Sequence, residues 1–114
     1  MAAVTDLTWQ QLETASGLSL ISSDASGLVI KISALTGSNT TDKNTTGVIE
    51  ALFKLRNFAA AAQESANDGK AIGERLASFP PSTSGTVVDG YVIEAGQIVV
   101  KTPLSTSGLG GVNN

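Results

Sequence analysis

Apolar positions along this chain follow two rhythms. From Thr46 to Gly69, Val48, Leu52, Leu55, Ala59, Ala62 and Ala66 recur at spacings of four and three, which is the period of one helix face. Ile49, Phe53 and Ala60 widen that face, while Glu50, Lys54, Asn57, Glu64 and Asp68 fall opposite. Glu50 and Lys54 form an i,i+4 pair in the favourable order. Thr45 or Thr46 can cap the start and Gly69 can end the helix in the left-handed conformation. The predicted helix is the central element, roughly 22 residues and about 33 Å long. Its first half is bulky and its second half, Ala59 to Ala62 and Ala66, is small, so another backbone can come close there or alanine simply favours the helix.

The remaining apolar residues alternate or run in short bursts. Thr8 and Gln11 make a capping-box pattern that opens a short helix, with Trp9 and Leu12 on one face and Gly17 at its end. Leu18 to Ser22 and Leu28 to Leu35 read as strands joined through the turn chemistry of Ser23 to Gly27, an N-terminal hairpin. Residues 70–79 fit an edge strand or a helix; Gly73 and Pro80-Pro81 favour the strand. Thr86 to Glu94 and Gln97 to Thr102 are strand-like. Asp89-Gly90 is a two-residue hairpin turn and Ala95-Gly96 a second turn, giving either a C-terminal meander or one long hairpin bulged at Gly90.

The expected architecture is therefore α+β: one long central helix packed on short antiparallel strands. Residues 1–102 form a single domain and 103–114 a Gly/Ser-rich C-terminal arm. In this reading Val48, Leu52, Phe53 and Leu55 are buried against Ile30, Ile32, Val92 and Ile98. Leu52→Ala should then cost about 2–5 kcal/mol.

Composition narrows the chemistry. The chain has no cysteine and no histidine, which removes disulfides, Cys/His zinc sites, thiol nucleophiles and any mechanism that needs imidazole. A net charge of −3 with no basic cluster argues against nucleic-acid binding. No cationic start with an apolar run suggests a signal peptide, no long apolar run suggests a membrane span, and an opening Met1 fits an unprocessed cytoplasmic product. Asp68-Gly69-Lys70 lacks the flanks of a phosphate loop, and Gly108, Gly110 and Gly111 lie in the tail rather than between a strand and a helix. Asn39 and Asn44 match the glycosylation acceptor pattern within a polar loop, Thr36 to Thr46, that reads as solvated. Asp89 and Glu94 are explained by turn chemistry and strand exposure before any acid–base role. No catalytic residue, cofactor site or metal site is expected.

What remains is a chain rich in Ser, Thr and Gly, with short strands and a pliable arm. In composition and layout it resembles small phage virion proteins, such as capsid cement or decoration proteins and head–tail or tail components. That resemblance implies a structural subunit, in the virion or host cytoplasm, acting through contacts with its own copies or a major particle subunit. It implies a homo-oligomer with no membrane or nucleic-acid partner. The alternative is a small cytoplasmic binding or adaptor module, which would show a concave pocket with converging polar groups. Interface candidates are Trp9, an aromatic of the type enriched at hot spots, and Leu104, Leu109 and Val112, the apolar anchors of the arm.

Overall fold

A computed structural model describes residues 6–37, 42–44 and 47–101. The fold is mixed α+β, with one long helix and two separate antiparallel strand pairs. Helix α1, Trp9–Ser16, begins at the expected capping box. The Gln11 N–H donates to Thr8 Oγ1 at 3.1 Å, and the Thr8 N–H donates to Gln11 Oε1 at 2.8 Å. Gly17 ends it at φ +68°, a conformation that favours glycine.

Strands β1, Ile21–Asp24, and β2, Gly27–Ile30, pair through a two-residue turn, with Ile21 opposite Ile30 and Asp24 opposite Gly27. The long strand expected from Leu28 to Leu35 stops early. Lys31 donates to the Leu20 carbonyl at 2.9 Å, and Ile32–Thr36 then forms a short helix, α2, ended by Gly37 at φ +74°. A helical turn delivers Leu35 into the core, where it is buried. A short apolar run cannot distinguish these two outcomes by period alone.

Helix α3, Val48–Asn67, is the long helix predicted. Its buried face differs from the one the period suggested. Ala51, Arg56, Ala59 and Ala62 are buried, and Leu55 and Phe58 pack against the core. Leu52 is 61% exposed, and Val48 and Ile49 lie open to solvent. Leu55, Ala59 and Ala62 serve both stripes, so the sequence allowed either at the N-terminal half. The choice is made by what covers α3: α1 and α2 pack on it, bringing Leu12 and Leu35 to the small side chains of Ala51 and Ala59. Leu20, fully buried, and the half-buried Ile30 complete this cluster. The other expected partners, Ile32, Val92 and Ile98, are exposed.

After α3 the chain does not form the strand favoured for 70–79. Ile72–Glu74 is a single 3₁₀ turn, and an extended segment follows without a strand partner. Strands β3, Thr83–Val88, and β4, Tyr91–Ala95, form the C-terminal hairpin. Asp89 at φ +53° and Gly90 at φ +81° make the two-residue turn, both in the positive-φ region required by its primed type. The bulge lies at Gly85, φ +122°, where the register shifts between Ser84 and Thr86, and not at Gly90. The third strand of a meander is not formed, since 96–101 carries no regular structure.

Stability measurements distinguish the two helix faces. Leu20→Ala should lose about 2–5 kcal/mol in denaturant unfolding, because the side chain is wholly enclosed. Leu52→Ala should stay within about 0.5 kcal/mol of the parent. Comparable losses at the two positions would place the core on the other face of α3.

Candidate protein-interaction surface

A row of polar side chains on α3 positions the C-terminal third of the chain. Arg56, Gln63 and Asn67 are seven and four residues apart, so they share a face one step from the alanine stripe. Asn67 donates through Nδ2 to the Leu76 carbonyl at 2.8 Å, and its Oδ1 accepts the Leu76 N–H at 2.7 Å. Gln63 repeats the arrangement on Phe79, with 3.0 Å from Nε2 to the carbonyl and 2.9 Å from the N–H to Oε1. Each side-chain amide supplies the donor and acceptor that a neighbouring strand would offer, so the extended segment needs no sheet. Phe79 packs against the core beside these contacts.

Arg56 closes the row. It is 5% exposed, yet its guanidinium faces neutral acceptors: the Gln97 carbonyl at 3.0 Å, Asn57 Oδ1 at 2.6 Å and the Pro80 carbonyl. Hydrogen bonds to a charged donor are stronger than neutral ones, which offsets part of the burial cost. Gly96 lies directly on this group, and a Cβ there would sit 2.8 Å from Arg56 Cδ and Nε. Val99 donates to the Ser78 carbonyl at 2.7 Å and holds the outgoing strand end against the incoming segment. Together these contacts anchor both ends of the β3–β4 hairpin.

Beside the row runs an open groove of about 1170 Å³, bordered by Ala60, Ala61, Glu64, Asp68 and Arg75. The polar groups that converge on it from α3, Arg56, Gln63 and Asn67, are engaged by the chain's own backbone. The carboxylates of Glu64 and Asp68 border the groove beside them. Among the described residues no acidic cluster could hold a metal ion. Asp89 sits in the hairpin turn while Glu94 lies opposite Ser84 further down the ladder, so the structure does not join them into an acid–base pair. No described helix is long and apolar enough to cross a membrane.

The hairpin itself is uncovered. Every residue from 81 to 101 is exposed, including Val87, Val88, Tyr91, Val92, Ile93, Ile98, Val99 and Val100. Alternation and the register assign its faces. Thr86, Val88, Tyr91, Ile93 and Ala95 lie on one, without a charge; Ser84, Val87, Val92 and Glu94 lie on the other. A second bare patch is the start of α3, Val48, Ile49 and Leu52.

Trp9, an interface candidate, lies at the surface. It stays 46% exposed at the rim of a recess formed with Glu13, Ile21 and Leu28, between α1 and the first hairpin. The recess is held by Glu13, whose Oε2 accepts the N–H groups of Leu20 and Ile21 at 3.1 and 2.7 Å. Leu104, Leu109 and Val112, and with them the proposed arm 103–114, lie outside the described residues. The hairpin does not stand out as a surface in the sequence, because alternating apolar residues fit a core strand equally well. The row on α3 was legible only as polar residues at a helical spacing.

Comparison with family models, curated proteins and solved structures finds no match to this chain.

The row has a direct test. Gln63→Leu removes both bonds to Phe79 and should cost about 1–3 kcal/mol while speeding amide exchange at Phe79. Gly96→Ala should cost about 1–3 kcal/mol by displacing Arg56. An unchanged exchange rate at Phe79 in Gln63→Leu would show that the rung does not hold the segment.

Proposed function

We propose that this chain is a structural subunit of a larger particle, of the kind supplied by phage capsid cement, decoration or head–tail and tail proteins. It acts through protein–protein contacts with its own copies or a major particle subunit, and not as an enzyme. The observation that carries this reading is the β3–β4 hairpin and the segment after it, exposed at every position from 81 to 101 and carrying eight large apolar side chains among them. Monomeric proteins rarely keep contiguous apolar patches beyond a few hundred Å². A two-stranded hairpin is also only marginally stable in water without a covered face. The chain's own core does not supply the cover: three of the six buried apolar residues among those described are alanines, and Ala51 and Ala59 pack α3 against α1 and α2. Association completes what the single chain leaves open.

The test is the state of the chain in its native source. Gentle extraction should find it in a defined particle far heavier than the 11.6 kDa chain, at repeated positions visible by electron microscopy. A native pool that is entirely free monomer would refute the subunit reading.

A further inference from the structure

Segment 76–101 is tied to the rest of the molecule through a few side chains of a single helix. We propose that it is a strap, which releases from α3 and latches again as one cooperative unit while α1, α2, α3 and the first hairpin stay folded. The chain then has two native-like states, latched and released, whatever the β3–β4 hairpin meets.

Three observations lead there. Among the described residues no backbone-to-backbone hydrogen bond joins the strap to α1, α2, α3 or the first hairpin, and the two strand pairs are separate. Its links are the side chains of Asn67, Gln63 and Arg56, bonded to Leu76, Phe79, Pro80 and Gln97. Second, the strap adds little to the interior. Leu12, Leu20, Leu35, Ala51 and Ala59 lie outside it, and Phe79 alone among its described residues packs on them. Release therefore gives up one aromatic contact and a row of hydrogen bonds but leaves the core in place, so it takes less free energy than global unfolding. Third, the strap moves as one piece. The β3–β4 ladder, and the Val99 N–H donating to the Ser78 carbonyl at 2.7 Å, tie its outgoing end to its incoming one, and Arg56 binds both. Neither end can travel far from α3 without drawing the other after it. The exposed connection 71–75, with its single 3₁₀ turn, and Gly69 at φ +80° offer the pivot. Release frees the polar ends of Asn67, Gln63 and Arg56, so a partner that prefers either state shifts the population between them.

Native-state amide exchange of the intact chain, followed by NMR and corrected for intrinsic rates, tests this. The N–H groups of Leu76 and Phe79 bond to different side chains, yet they should share one protection factor. That factor should be at least about ten-fold below the protection of Ala59, a core residue in the middle of α3. Gly96→Ala displaces Arg56 and touches neither of the other two rungs, so it should lower protection at Leu76 and Phe79 by a common factor of about ten. Leu20→Ala weakens the latched and released states alike. It should therefore speed exchange at Ala59 and change Leu76 and Phe79 by less than about two-fold. Unequal protection at Leu76 and Phe79 overturns the proposal, as does protection equal to that of Ala59, because the strap then opens only with the body. Gly96→Ala leaving either Leu76 or Phe79 unchanged also overturns it, since the rungs then break one at a time. Should Leu20→Ala not fold, the parent chain and Gly96→Ala decide alone.

Discussion

Arg56 is the residue on which the arrangement of the C-terminal third depends. A guanidinium that is 5% exposed has to find acceptors within its own reach, and here they are carbonyls at Pro80 and Gln97, residues on either side of the hairpin. One side chain thus fixes where the chain leaves the body and where it returns. The close approach is possible because Gly96 has no Cβ to occupy the space taken by Arg56 Cδ and Nε. The charge stays bound to neutral acceptors, so the fixation rests on local geometry and much less on long-range Coulomb attraction, which salt would screen. By contrast the Lys54–Glu50 pair, 3.1 Å apart on the exposed side of α3, adds only a few tenths of a kcal/mol.

The body and the hairpin are held by different means. In the body, small side chains on α3 let α1 and α2 approach, and Leu12, Leu20 and Leu35 fill the space between. This is packing of ordinary helical kind, limited in area because the helix face is largely alanine. The hairpin contributes nothing to that core and keeps its apolar side chains outward. The division explains how a chain of 114 residues can combine a small, well-satisfied interior with an unusually bare exterior. Among the described residues no buried side-chain polar atom lacks a partner, so the bareness is not a sign of a poorly formed interior.

Local signals in the sequence are legible, and signals shared between elements are not. The Thr8–Gln11 cap, the long helix and the Asp89-Gly90 turn each depend on a few adjacent residues whose chemistry has one good outcome. The rotation of α3 was not legible, because Leu55, Ala59 and Ala62 satisfy two overlapping stripes and only the approach of α1 and α2 decides between them. Leu28 to Leu35 reads as one strand because a β-branched run and a turn of helix look alike over four or five residues. The 76–80 segment escaped because its partners are side chains: no strand period encodes a glutamine or an asparagine standing in for a backbone. Trp9 lies on the helix that the Thr8–Gln11 cap predicts and is half-exposed there, while Glu13 of the same helix holds the start of β1.

The rungs on α3 also imply an order of assembly in time. Their partners are separated in sequence by 9 residues at Asn67, 16 at Gln63, then 24 and 41 at Arg56. The entropic cost of closing a loop rises with its length, but each closed rung shortens the loop that the next must close. With α3 formed, the chain can therefore zip from Asn67 backwards along the helix, at no step bridging more than a short free segment until the hairpin. The last closure, Arg56 to Gln97, spans a loop that the β3–β4 turn has already shortened by pairing its two halves. A contact of long sequence separation is in this way reached through a series of nearly local ones.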